Sequence, residues 1–232
     1  MIIIGHRGAS GYKPENTLQS FEAAINMGAD MIELDVRRLK TGQVIVFHDD
    51  SLERTTDGKG KISQLSHDEI QSVDAGNGQT IPLLSDVLDL IAGKVAINIE
   101  LKGPDTAEPV AEIINQYVNT RGWRRQLFLV SSFDPVELER FARLRPDINV
   151  SPLYRKLPPK SLRTIAGKKI FSTNLNARFI TRGDIESLHA DGIKVFAYTV
   201  NSGRAARRML NIGVDGIFTD FPDKTAAKLG KI

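Results

Sequence analysis

The alternation of strand-like and helix-like runs constrains the fold of this chain more than any other feature of its sequence. Short apolar runs of strand length are each followed by a segment whose apolar spacing is typical of a helix. The predicted strands cover residues 2–5, 31–38, 95–101, 127–131, 149–152, 169–173, 194–198 and 216–219. The predicted helices cover residues 17–27, 84–91, 107–120, 135–144, 160–165, 181–190, 203–211 and 223–229. Eight strands in strict alternation with eight helices predict a parallel sheet closed into a barrel, the (β/α)8 TIM barrel of the α/β class.

The length and composition of the chain agree with that fold. Its 232 residues suffice for one TIM barrel, so we predict a single domain over residues 1–232. Hydrophobic residues make up 41% of the chain, which is enough to bury a full core. The net charge of +3 is too small to indicate a nucleic-acid partner.

The lack of cysteine excludes several kinds of site. The sequence contains no Cys, so disulfides, zinc–thiolate sites and thiol nucleophiles are excluded. The opening apolar run, residues 2–5, leads directly into His6-Arg7 rather than into a secretory signal. Every apolar run is shorter than the roughly 18 residues that a membrane helix needs. We therefore expect a cytoplasmic protein without stable membrane association.

One apolar run, residues 44–48, breaks the alternation. It begins too soon after the second strand for a parallel crossover, which needs about a dozen residues or more. The segment Lys40-Thr41-Gly42-Gln43 therefore predicts an antiparallel hairpin that places His48 opposite Asp35. A polar stretch follows from about 50 to 82. We predict that it forms a small insertion between strand 2 and helix 2, a lid with a short helix over residues 68–73.

Two carboxylates interrupt the apolar run of the second predicted strand. Glu33 and Asp35 are two residues apart, so they point to the same side of that strand. Two like charges on one face of a buried strand are costly unless another charge compensates them. A divalent cation is the simplest compensation. The alternative is a buried salt bridge to Arg7 or Lys102 without a metal.

Further polar residues follow other predicted strands, and the active sites of such barrels lie at the carboxyl ends of the strands. Glu100 adds a third carboxylate, and an all-oxygen ligand set favours Mg²⁺ or Ca²⁺, with Mn²⁺ possible, over zinc or copper. Arg7 and Lys102 carry positive charge suited to phosphate oxygens. His6 and His48 can exchange protons near neutral pH. Together these residues predict a site for phosphoryl transfer.

The sequence resembles the glycerophosphodiester phosphodiesterase family in nine segments that occur in order over nearly the whole chain. A single tripeptide of this kind is weak support, but nine in order are specific. The segments are Gly5-His6-Arg7-Gly8, Pro14-Glu15-Asn16-Thr17, Glu33-Leu34-Asp35-Val36, Phe47-His48-Asp49, Leu52-Glu53-Arg54-Thr55-Thr56, Ile99-Glu100-Leu101-Lys102, Ser132-Phe133, Thr199-Val200-Asn201 and Asp215-Gly216-Ile217-Phe218-Thr219-Asp220-Phe221-Pro222.

The resemblance implies both a fold and a reaction. It implies a (β/α)8 barrel with an insertion after the second strand, and one divalent cation held by Glu33, Asp35 and Glu100. It implies that His6 and His48 act as acid and base. The implied reaction hydrolyses small glycerophosphodiesters to glycerol 3-phosphate and an alcohol such as choline, ethanolamine or glycerol, which places the enzyme in glycerol and lipid metabolism.

Four further residues are considered as candidates near the site. Glu15 lies at the site in the family, although it could simply cap the first helix. Phe133 is interpreted as a wall for the substrate. Tyr198 stands where members often carry Trp, a departure that affects substrate preference. Asp220 follows the last predicted strand, so it either joins the polar residues at the strand ends or only caps the last turn.

Several alternatives stay open at this level. A related barrel phosphodiesterase acting on lysophospholipids would need an apolar loop facing the membrane, and the insertion is polar. A non-catalytic phosphate-binding barrel would have lost a ligand or a histidine, and all are present. The sequence leaves open the headgroup, the metal, the oligomeric state, and which histidine is the acid. It also leaves open whether the attacking oxygen comes from water or from the substrate's own hydroxyl through a cyclic phosphate.

Overall fold

The computed structural model describes residues 1–157, 159 and 163–230, and these form a closed barrel of eight parallel strands. The strands run in the order β1, β2, β4, β5, β6, β9, β10, β11, and β1 pairs with both β2 and β11 to close the ring. The barrel strands are β1 (Ile2–His6), β2 (Met31–Arg38), β4 (Ala96–Leu101), β5 (Phe128–Ser132), β6 (Asn149–Tyr154), β9 (Ser172–Asn176), β10 (Lys194–Tyr198) and β11 (Gly216–Thr219). The predicted TIM-barrel fold is confirmed.

Helices follow most of the strands and cover the outside of the barrel, and one short helix, α2, lies in the insertion. They are α1 (Leu18–Asn26), α2 (His67–Gln71), α3 (Leu84–Ile91), α4 (Ala107–Thr120), α5 (Pro135–Leu144), α6 (Arg182–Ala190), α7 (Gly203–Ile212) and α8 (Pro222–Lys228). Several of them begin at a local capping residue; at the start of α5, for example, Asp134 accepts a hydrogen bond from the backbone of Val136. Within the described part of the chain, no helix is both long and apolar enough to cross a membrane.

The connection between β6 and β9 differs from the prediction. Part of the predicted helix 160–165 lies outside the described residues, but Thr164–Ile165 (β7) pairs antiparallel with Lys168–Lys169 (β8) instead of forming a helix. The turn residues Ala166 and Gly167 both have positive φ, the geometry of a tight hairpin turn. The strand predicted at 169–173 lies three residues later, at Ser172–Asn176.

The shift of that strand has a reason in the barrel interior. Asn174 pairs in register with Phe196, which belongs to an apolar cluster with Ile4, Leu129 and Phe218 inside the ring. Partners in register share a face of the sheet, so alternate residues of β9 point inward although they are polar. A strand with polar residues on its buried side lacks the apolar pattern on which the prediction depended.

Several of these inward polar groups have no hydrogen-bond partner among the described residues. Ser172 Oγ, Ser131 Oγ and both side-chain atoms of Asn98 are fully buried and unpaired there. Ser151 differs, because its hydroxyl donates to Asn174 Oδ1 at 2.9 Å. An unpaired buried polar group costs about 1–3 kcal/mol, whereas a paired one stabilises the fold.

Two serine substitutions should therefore change stability in opposite directions. We expect Ser172→Ala to keep or raise the free energy of unfolding, because it removes an unpaired buried hydroxyl. We expect Ser151→Ala to lower it by about 1–3 kcal/mol, because it leaves Asn174 without its donor. Urea unfolding of both variants measures the difference, and equal losses would contradict this account of the interior.

The hairpin that follows β2 is present with a register one residue from the prediction. Strand β3 (Val44–Val46) pairs antiparallel with the end of β2, and the Phe47 N–H donates to the Asp35 carbonyl at 2.9 Å. Phe47, not His48, thus lies opposite Asp35. The hairpin is closed by a bond from Leu39 N–H to Gln43 O, so its loop holds three residues, which moves the register by one.

The insertion packs around a small apolar cluster of its own. The segment 50–82 contains a short 3₁₀ turn (Ile62–Gln64) and the predicted short helix, α2, which begins with a Ser66–Glu69 capping box. Apolar side chains of the insertion join those of the hairpin in one buried group: Leu39, Ile45, Phe47, Leu52, Ile62, Ile70, Val73, Ala75 and Ile81. The insertion is therefore anchored on the hairpin that carries His48.

Candidate active site

The parallel registers bring the predicted polar residues to one end of the barrel. Residue His6, at the end of β1, pairs in register with Glu33 of β2. Asp35 of β2 pairs with Glu100 of β4, and Lys102 follows β4 directly. The β3 hairpin runs beside the upper half of β2, beyond the end of β1, and delivers His48 to the same end.

Three buried carboxylates form the centre of this arrangement. Glu33, Asp35 and Glu100 are 2%, 1% and 7% exposed, and each offers an oxygen within 4.8 Å of the others. Burial and the charge of Asp35 raise the pKa of Glu33 to about 8 and that of Glu100 to about 7. Burial opposes ionisation of Asp35 too, but the positive charges of Arg7, His48 and Lys102 and a hydrogen bond from Asn16 together outweigh it and lower the pKa of Asp35.

The contacts of this carboxylate cluster test the two interpretations of the sequence. Both cations of the salt-bridge alternative make contact: Arg7 Nε lies 3.2 Å from Asp35 Oδ2, and Lys102 Nζ lies 2.9 Å from Glu100 Oε1. Lys102 Nζ also lies 3.9 Å from Asp35 Oδ1, but this oxygen accepts no hydrogen bond from the described residues. Three carboxylates with a free buried oxygen fit a hard divalent cation.

Arg7 is held in place by groups on both sides. Its Nη1 donates to Glu15 Oε1 at 2.8 Å, and its backbone N–H donates to Glu33 Oε2 at 2.8 Å. Glu15 therefore lies at the site, and Thr17 rather than Glu15 caps α1. Burial disfavours the charged form of Arg7, but the charges of Asp35 and Glu15 outweigh it and raise its pKa.

Each of the two histidines is paired with a carboxylate. His6 Nδ1 lies 2.7 Å from Asp220 Oδ1, and His48 Nδ1 lies 2.5 Å from Asp49 Oδ1. Burial lowers the pKa of His6, but the bond to Asp220 and the charge of Glu33 outweigh it and raise that pKa overall. Burial lowers the pKa of His48 despite its carboxylate partners. Both rings line the same cavity.

Asp220 lies at the site, and its side chain does not cap α8. Its side chain binds His6, and it also accepts a hydrogen bond from Ser10 Oγ at 2.9 Å. Its backbone N–H donates to Asn201 Oδ1 at 2.9 Å, which fixes the end of β11. The available signal was its position directly after a barrel strand, the same position that drew attention to the other site residues.

The cavity between these groups is small and has an aromatic wall. It encloses about 160 Å³, and its lining includes His6, Arg7, Glu33, His48, Glu100, Lys102, Phe133, Leu153, Tyr198, Thr199 and Phe218. Phe133 and Tyr198 meet edge to face with centroids 5.9 Å apart. Phe133 is 48% exposed. A small polar ligand with one less polar end fits this lining.

The chain matches a known protein family over most of its length. Residues 6–224 match the model of the glycerophosphoryl diester phosphodiesterase family. The chain belongs to this family. Its glycerophosphodiester phosphodiesterase relative from Bacillus altitudinis is 39% identical over 240 residues, which cover 96% of this chain and 95% of the relative.

Two further proteins are similar to the chain over nearly its whole length. An Oleispira antarctica phosphodiesterase, solved in complex with the product sn-glycerol-3-phosphate, superposes with a TM-score of 0.91 at 30% identity, covering 99% of this chain and 97% of that one. The human lysophospholipase D GDPD1 is 27% identical, over 95% of this chain and 83% of its own length. The predicted family, fold and enzyme class are thereby confirmed.

Proposed function

We propose that this protein hydrolyses glycerophosphodiesters to glycerol 3-phosphate and an alcohol, in a reaction that requires one divalent cation and a pair of histidines. The observation that carries this proposal is the arrangement of one cavity: two histidines, each bound to a carboxylate, flank a buried cluster of three carboxylates. The named activity of the family's members supports the choice of substrate.

The cation would be held by Glu33, Asp35 and Glu100, the three residues that offer close oxygens. Mg²⁺ or Ca²⁺ suits this donor set, and Mn²⁺ is also compatible with it. When bound, the cation would withdraw electron density from a phosphate oxygen and offset the charge that develops on phosphorus.

The other cavity residues bind and orient the substrate in this proposal. Arg7 and Lys102 offset the negative charge of the phosphate oxygens, and Glu15 holds the Arg7 guanidinium in position. Phe133 and Tyr198 provide the wall beside which the leaving alcohol lies.

The histidines move protons. One takes the proton of the attacking oxygen and the other donates a proton to the leaving alcohol. Asp220 and Asp49 hold the two rings through Nδ1, so that the other ring nitrogen of each is left for the substrate. Attack by water and attack by the substrate's own hydroxyl both agree with this arrangement.

We further propose that residues 1–232 act as one domain in the cytoplasm, on small glycerophosphodiesters released from phospholipid.

Lysophospholipids are a second candidate substrate, supported by the similarity to human lysophospholipase D and by the half-exposed ring of Phe133.

An assay of which product forms from each substrate decides between these candidates. The experiment measures glycerol 3-phosphate from glycerophosphocholine and glycerophosphoethanolamine with Mg²⁺, with Ca²⁺ and with excess EDTA, and the lysophosphatidate formed from lysophosphatidylcholine in parallel. We expect release from the glycerophosphodiesters that EDTA abolishes. No release from a folded protein with either cation would overturn the proposal, and lysophosphatidate formation alone would favour the second candidate.

A further inference from the structure

We propose that Arg54 is a positioning residue for the reaction, holding His48 through Asp49 and Arg7 through Glu15. This role rests on the proposed function and deepens it, because it adds a residue of the insertion to the machinery of the site. Arg54 lies in the Arg-Thr-Thr segment that the family resemblance includes, a segment that has no part in the chemistry described above.

The guanidinium of Arg54 joins two carboxylates at once. Its Nε and Nη2 donate to the two oxygens of Asp49, the latter at 3.1 Å. Its Nη1 and Nη2 donate to Glu15 at 3.1 and 2.6 Å. Two bidentate contacts on a rigid planar group fix the orientation of both carboxylates.

Each of these carboxylates is bound in turn to a cavity residue. The Asp49 oxygen that receives Arg54 Nη2 also lies 2.5 Å from His48 Nδ1. The Glu15 oxygen that receives Arg54 Nη2 also accepts from Arg7 Nη1 at 2.8 Å. Arg54 Nη2 therefore contacts both the carboxylate that binds the His48 ring and the carboxylate that binds the Arg7 guanidinium. Both His48 and Arg7 line the cavity.

The backbone that carries Arg54 is fixed by the insertion. Leu52 is buried in the apolar cluster of the insertion, and its N–H donates to Gly60 O at 3.1 Å. Thr56 Oγ1 donates to Leu52 O at 2.7 Å and accepts from Gly58 N–H at 3.0 Å. The insertion thus presents Arg54 from a bonded loop rather than from a free one.

Stability alone does not account for this arrangement. The Arg54 side chain is 49% exposed, and exposed ion pairs contribute only about 0–1 kcal/mol. Hydrogen bonds from Arg54 are the main cause that lowers the pKa of Asp49 to about 2, as expected for a carboxylate held directly against a guanidinium. We therefore expect loss of Arg54 to affect turnover more than folding.

Arg140 offers a matched control. It also bridges two carboxylates, those of Asp105 and Glu108, and its side chain is 40% exposed. In the described part of the chain, neither of those carboxylates bonds to a residue that lines the cavity.

The first test compares Arg54→Met, Arg54→Lys and Arg140→Met in the whole protein with glycerophosphocholine and Mg²⁺. We expect kcat to fall about 10- to 100-fold in Arg54→Met, the range seen when outer partners of site residues are removed, with a melting temperature close to that of Arg140→Met. Arg54→Lys should stay impaired, because lysine cannot make the bidentate contacts. Wild-type kcat in either Arg54 variant overturns the proposal.

A double-mutant comparison tests the route through Asp49. If Arg54 acts through Asp49, the variant carrying both Arg54→Met and Asp49→Asn should lose no more turnover than the worse single variant. If the fold-losses in turnover of the two single variants multiply in the double variant, Arg54 does not act through Asp49.

A spectroscopic readout separates this proposal from the proposed function. Nitrogen-15 NMR of the His48 ring reports its tautomer without any substrate, and we expect Arg54→Met to shift the His48 signals while Arg140→Met leaves them unchanged. If the wild type and Arg140→Met both lack activity, the proposed function fails and this measurement still decides the role of Arg54. Unchanged His48 signals in Arg54→Met would overturn it.

Discussion

Replacing either His6 or His48 with alanine is expected to lower turnover of glycerophosphocholine at least about a hundredfold while the barrel stays folded. Each histidine lines the cavity and is held through Nδ1 by a carboxylate. A positioned acid or base contributes about 10²–10⁴-fold to the rate, so loss of either should be this large. Steady-state release of glycerol 3-phosphate measures the effect, and thermal unfolding checks the fold.

The chain provides a control for this prediction. His67 lies in the insertion, where its ring is near Gln71 and does not line the cavity. His67→Ala should keep wild-type turnover. Near-normal turnover in His6→Ala or His48→Ala would remove that histidine from the proposed mechanism.

Replacing Glu100 with glutamine is expected to abolish tight binding of Mg²⁺ and Ca²⁺, and turnover with it. The substitution keeps the shape of the side chain but removes one of three carboxylates that offer oxygens within 4.8 Å of each other. Calorimetric titration of each cation measures the loss directly, with Glu22→Gln on the exposed side of α1 as the control. Unchanged affinity in Glu100→Gln would show that the cation, if any, binds elsewhere.

The raised pKa values of the carboxylate cluster give the same site a pH dependence with a definite sign. Without a cation, Glu33 with a pKa of about 8 and Glu100 with a pKa of about 7 hold protons that the unfolded chain releases above about pH 4.5. The stability that the protonated Glu33 and Glu100 contribute is therefore fully present below about pH 4.5, and it is lost as the pH rises to about 8. Cation affinity should change oppositely and increase with pH, because binding releases these protons.

Melting curves can check this sign. With EDTA, the melting temperature should fall between pH 5 and 8.5 through the contribution of these two groups. With saturating Mg²⁺ the fall should be smaller. In the Glu100→Gln variant, the fall in melting temperature should be the same with EDTA and with Mg²⁺. Equal slopes with EDTA and with Mg²⁺ would contradict the assignment of the cation to this cluster.

Much of the fold could be predicted because its signals are local. Helices α3, α4 and α5 have the predicted bounds, since apolar spacing and capping residues act within one or two turns. The prediction was wrong where the barrel interior takes polar side chains, as in β9, and at Thr164–Ile165, which form a short strand instead of the end of a helix. The hairpin at β3 was predicted, but its register depended on one residue of loop length.

The sequence by itself determined the barrel, the family and the identity of the titratable residues His6, Arg7, Glu33, His48, Glu100 and Lys102 that line the cavity, because periodicity and short motifs are properties of neighbouring residues. Only the tertiary structure decided which of these side chains bind each other. Asp220 meets His6 across 214 positions of the chain, and Arg54 reaches Glu15 across 39. Closure of the ring and packing of the insertion create these contacts, and no local pattern records them. The tertiary structure therefore turns an aspartate after the last strand and a surface arginine into candidate parts of the active site.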